Sequence, residues 1–283
     1  MTAAQQTYFG SDTRRKLFTA VKYLVYVLLF INIFLFLQEE LGALEHTFVD
    51  GFELSQVIQV FSATIDTTAW VILLLLFELE TSVLDDSRIH GRVKWTLHGI
   101  RGLCYVAVFY AFTGYLAELG MLYNTFEMAG FSACDSLDRG YALLTNIDEY
   151  ESLTLDNCGA MIGPVSKFQG FDIVADAEHL QAARWLGWTD VVNSASWLLV
   201  VIVLEAEVRL QLRGNLSLQV MNSTKIVKYA VYGTLFLCAG YWGVAGDFLD
   251  FWDAFLWLFA FIFIELNVFE WQYETTVADT VSS

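Results

Sequence analysis

Several charged residues of this chain fall where apolar side chains are expected. Asp66, Glu78, Asn193, Glu205, Asp253 and Glu265 lie inside or at the ends of long apolar runs, as do the bases Lys22, Arg101 and Lys228. An ionisable group at membrane depth costs at least a few kcal/mol unless it pairs or faces a polar interior. Such residues therefore form structural ion pairs, a proton relay or a cation site.

Spacing sorts them into two layers. Asp66, Trp70, Glu78 and Glu80 recur with the same intervals as Asn193, Trp197, Glu205 and Glu207, and again as Asp253, Trp257, Glu265 and Asn267. A base followed four residues later by Tyr also recurs, as Lys22 and Tyr26, Arg101 and Tyr105, and Lys228 and Tyr232. Both Glu78 to Arg101 and Glu205 to Lys228 span 23 residues, so these segments align without a gap. Such self-similarity marks an internal repeat.

The inner layer holds both signs of charge, and Lys22, Arg101 and Lys228 are expected to pair with Glu78, Glu205 and Glu265. The bland reading is a ring of ion pairs that fixes helix docking; the sharper one makes some carboxylates a cation or proton site. The outer layer lies 12 residues away, about 18 Å along a helix, and no repeated base accompanies it. Asp66, flanked by Thr64, Thr67 and Thr68, is the deepest acid without an obvious cation. With Asn193, Asp253 and Asp190, which lies one turn before Asn193, it is a candidate for an ion pathway. The alternative is a neutral acid donating a hydrogen bond between helices.

Catalytic signatures are absent. His46, His90, His98 and His179 lack zinc or haem spacing, and there is no HExxH, phosphate loop or nucleophilic Ser motif. No enzyme activity, metal, cofactor or nucleic-acid partner is expected.

The elements that must position these residues are membrane helices. With 56% hydrophobic residues and a mean hydropathy of +0.50, the chain shows six runs near the length that crosses about 30 Å of hydrocarbon. They are roughly 17–37, 55–77, 101–123, 185–204, 226–245 and 251–271. The expected fold is an all-α integral membrane protein of six transmembrane helices built as three two-helix repeats, about 14–80, 92–207 and 221–271. Of 15 Lys and Arg, 12 fall at the first, third and fifth polar flanks, which places both termini in the cytoplasm.

An outer insertion, 125–184, carries ten acids against three bases, and residues 38–54 read as an acidic outer loop. The net charge of −17 is thus concentrated outside. Cys134 and Cys158 share that oxidising side and are expected to form a disulfide in a structured cap. Gly240, Gly243 and Gly246 read as sites of close helix packing.

These features suggest a multi-pass plasma-membrane protein, in a prokaryotic inner membrane, that serves as a small-cation channel or transporter with an acidic outer vestibule. The alternative is a structural or accessory subunit of a larger membrane assembly. Membrane lipid, a small cation, and a homo-oligomer or larger complex are the partners implied.

Overall fold

The computed structural model describes residues 12–48, 51–53, 56–80, 90–212 and 218–264. It is a helical bundle with a small sheet at one end. The helices are α1 (Asp12–Thr47), the short α2 (Val57–Val60), α3 (Ser62–Glu78), α4 (Gly91–Tyr123), α5 (Ala177–Leu212), α6 (Leu218–Ala245) and α7 (248–264).

Three helices are long and apolar enough to cross a membrane: Thr13–Thr47, Gly91–Tyr123 and Ala177–Val203. They turn large apolar side chains outward, among them Leu24, Val27 and Phe34 on α1 and Leu103, Val106 and Phe109 on α4. Exposed Trp95, Trp185 and Trp188 lie near helix ends, where an interfacial aromatic belt falls. The chain is accordingly a membrane-associated protein. α3, α6 and α7 complete the bundle, and the part of the expected third hairpin beyond residue 264 lies outside the described residues.

The expected acidic loop at 38–54 is largely helix. α1 runs to Thr47, so Glu39, Glu40 and Glu45 stand on it. The charges do not stop the helix because their side chains have somewhere polar to go. Glu40 shows this directly: α3 begins at Phe61 without a side-chain cap of its own. Across the helix interface, Ala63 N–H donates to Glu40 Oε1 at 2.7 Å, and the Thr64 amide and hydroxyl donate to the same carboxyl. A carboxylate of α1 thus satisfies the orphan donors of the first turn of α3.

An all-α chain is also not what forms. The insertion between α4 and α5 folds into a five-stranded sheet of order β1-β4-β5-β2-β3, where β1 is Thr125–Glu127, β2 Ala142–Leu144, β3 Tyr150–Ser152, β4 Val165–Phe168 and β5 Ile173–Asp176. Only the β2–β5 pairing is parallel. The insertion ends at Asp176 rather than at residue 184, because α5 already begins at Ala177.

Alternation on β2 and β5 sends Leu143 and Val174 to one face, with Tyr141, Leu153 and Cys158. Ala142, Leu144, Ile173 and Ala175 go to the other, against Leu119, Leu122 and Leu186 at the helix ends. Both faces are buried, so the cap is anchored to the bundle. Cys134 and Cys158 are joined in a disulfide on the first face.

The three glycines meet the expectation in part. Around Gly240 there is open space, whereas a Cβ on Gly243 would lie 3.1 Å from the Phe251 ring of α7, so the two helices do approach closely there. Gly246, with φ +92°, makes the left-handed turn from α6 into α7, its N–H bonded to Trp242 O, a glycine end signal for a helix. A tighter approach is at Gly114 of α4, where a Cβ would lie 2.5 Å from Ile58 O.

Candidate functional site

The three equally spaced tryptophans meet. The Trp70, Trp197 and Trp257 ring centroids are 5.7, 6.3 and 6.4 Å apart in pairs, a closed triangle between α3, α5 and α7. Aromatic rings at these separations pack edge to face. One turn toward the cap, Asp66, Asn193 and Asp253 line a single cavity of about 100 Å³ whose floor is the tryptophan triangle.

α3, α5 and α7 each present an acid that takes a neutral donor from the next helix around the ring. Tyr115 Oη of α4 donates to Asp66 at 3.5 Å, Trp242 Nε1 of α6 donates to Asp190 at 3.2 Å, and Asn32 Nδ2 of α1 donates to Asp253 at 2.8 Å. Asp66 keeps its other oxygen, Oδ1, buried with no hydrogen-bond partner. Asp190, one turn before Asn193, is thus part of the same wall.

Further acids line the cavity that the sequence reading left out: Glu39 on α1, Glu118 on α4, Asp250 on α7, and Asp148 of the cap, with Glu40 at the edge of α3. Their signal was available in the repeat. Glu39 and Glu118 each stand 17 residues after the repeat base, at Lys22 and Arg101. Asp250 stands three before Asp253, as Asp190 stands three before Asn193. Phe36, Tyr115 and Trp242, all lining the cavity, each follow their repeat base by 14. Among the described residues no Lys or Arg lines it. The cavity therefore gathers acid from five helices and the cap, answered only by neutral donors.

Beneath the tryptophans the bundle is packed with apolar side chains. Leu29, Leu74, Val200, Leu235 and Ala260 are buried together. Below them Lys22 Nζ lies 2.7 Å from Glu78 Oε1, and Tyr23 and Tyr26 donate to the same carboxylate at 3.1 and 3.3 Å. Lys22 and Glu78 are both buried.

Arg101 instead reaches Glu80, at 2.6 Å. α3 continues as a wider π turn through residues 79–80, and Glu80 is the acid presented to α4. Glu205 accepts from Tyr105 Oη at 3.3 Å, the counterpart of Tyr26 on Glu78. Lys228 stands at the matching position of α6. Glu265, the third acid of this layer, lies outside the described residues.

The arrangement can attract, hold and desolvate a cation on the cap side, while aromatic and aliphatic packing closes the other side. Among the described residues no three His, Cys, Asp or Glu are grouped to hold a metal ion. No protein-family model matches the chain, and no curated protein or solved structure matches it.

Proposed function

We propose that this chain is a small-cation transporter of the plasma membrane, in a prokaryotic cell the inner membrane. Its six bundle helices cross the bilayer as three two-helix repeats, with both termini cytoplasmic and the sheet outside. It performs no catalysis. The observation that carries the reading is the cavity itself, where acid from α1, α3, α4, α5, α7 and the cap converges without a basic residue among the described ones. Ionised carboxylates in such a space repel one another, and a cation or protons must balance them.

The apolar layer below the tryptophan triangle favours a carrier over an open channel, since a conducting pore needs a continuous polar path. A cation entering from the cap side stops on Trp70, Trp197 and Trp257 until the helices rearrange.

The test is cation flux into vesicles reconstituted with the full chain, comparing wild type with Asp66→Asn, which keeps shape and hydrogen bonding but removes charge. Flux in the wild type and its loss in the variant are expected. Equal flux in both removes Asp66 from the path, and no flux in either returns the chain to the other reading.

That second reading, an accessory subunit of a larger membrane assembly or a homo-oligomer, draws on α7. There Phe248, Trp252, Phe255 and Phe259 form a run of ring contacts, and Phe248, Phe255 and Phe259 are exposed. A flat aromatic face of this kind suits a neighbouring helix as well as lipid.

A further inference from the structure

We infer that the cation this cavity takes is a linear organic amine with two or more ammonium groups, of the polyamine class, lying along the cavity from the tryptophan floor toward the cap. This rests on the proposed cation reading and names its substrate.

The acids are arranged in depth rather than around a point. Asp66 and Asp253 stand at the floor, Asp190 and Asp250 lie three residues from the repeat positions of their own helices on the cap side, and Glu39, Glu118 and Asp148 line the same cavity. Three residues on a helix rise about 4.5 Å, so successive tiers are separated by the length of a short methylene spacer. A hard divalent ion needs the opposite, six to eight oxygens for Ca²⁺ at about 2.3–2.6 Å from one centre. Among the described residues no such convergence of three acids exists.

The remaining wall suits the carbon chain. Phe36, Tyr115 and Trp242 also line the cavity, and the floor offers three indoles. An ammonium over a tryptophan is stabilised by the ring's quadrupole, and more so when dry. It also carries three donors, and Asp66 Oδ1 at the floor is a buried acceptor with none.

Size agrees. A cavity of about 100 Å³ has room for on the order of seven to ten water-sized groups, at ~10–15 Å³ each, and a four-carbon diamine has about six heavy atoms. A single dehydrated alkali ion would leave most of it empty.

The experiment is calorimetric titration of the purified full chain in detergent with putrescine, spermidine, NaCl, KCl and CaCl₂ at matched ionic strength. Asp66→Asn, Asp250→Asn and the exposed control Glu127→Gln are titrated in parallel. Saturable binding of putrescine or spermidine is expected, weakened about tenfold in each cavity variant that folds, as the loss of one charge-assisted hydrogen bond implies, and unchanged in Glu127→Gln.

Binding of an inorganic cation with none of either amine overturns the polyamine assignment and leaves the cation transporter standing. Amine binding that is equal in wild type and both cavity variants places the amine elsewhere and overturns the assignment too. No binding by any cation overturns both.

Discussion

Glu78 accepts from Lys22, Tyr23 and Tyr26 at once, so its carboxylate is fully used by structure. Removing one partner of a buried pair strands the other. Glu78→Gln is therefore expected to destabilise the fold by about 3–5 kcal/mol, read as a lower unfolding temperature in detergent, and Lys22→Met with Glu78→Leu should recover most of it. A wild-type melting curve for Glu78→Gln would show the ammonium reaching water. Asp176 offers a pH-dependent counterpart in the cap. Burial opposes its charge, but the His179 amide and ring and the Ile162 amide outweigh that, and its carboxyl is held below the usual range. A depressed carboxyl contributes stability above its unfolded value near 3.9 and loses it as pH falls through the folded value. Cap unfolding should thus become easier below about pH 4, and Asp176→Asn should flatten that dependence while weakening the start of α5.

At the level of elements, Gly114 and the cap make separate demands. A Cβ at Gly114 would meet backbone, Ile58 O at 2.5 Å, and Ser62 Cβ at 2.8 Å, so Gly114→Ala must push α2 off α4. The expected result is a loss of about 1–3 kcal/mol, the range for overpacking, while Gly240→Ala, facing open space, costs little. Cys134→Ser should cost the cap up to about 3 kcal/mol for a loop of this size, seen as faster proteolysis between residues 125 and 176. The sheet itself could not be read in advance: its strands are three or four residues long, too short for alternation to emerge, and both faces of β2 and β5 are buried. The C-terminal stretch of α1 was missed for a different reason. Glu39, Glu40 and Glu45 look like the end of an apolar run, and only the partner amides at Ala63 and Thr64 reveal that a helix can carry them inward.

Across the whole molecule, the part most legible beforehand was the spacing of Asp or Asn before Trp, because three helices meeting around one axis must present equivalent residues at equal depth. Asp66, Asn193 and Asp253 were found by that route and Asp190 as the neighbour of Asn193, whereas Glu39 fell in a stretch read as an acidic loop and Glu118 and Asp250 lie outside the three-fold spacing. The tryptophan triangle also has an electrical consequence. Asn32, bonded to Asp253 at the floor, stands 15 residues into the apolar run that starts at residue 17, about 22 Å along the helix, which sets the floor within the ~30 Å hydrocarbon depth. On the proposed reading, with the bundle spanning the bilayer and the cavity open to the outside, a polar vestibule would support little voltage, and most of the transmembrane potential would fall across the apolar layer between Trp70 and Glu78. Moving one elementary charge through it is worth ~2.3 kcal/mol per 100 mV, and about twice that for a dication. With the cell interior negative, the resting potential alone would draw such a cation inward, and uptake would need no coupled ion.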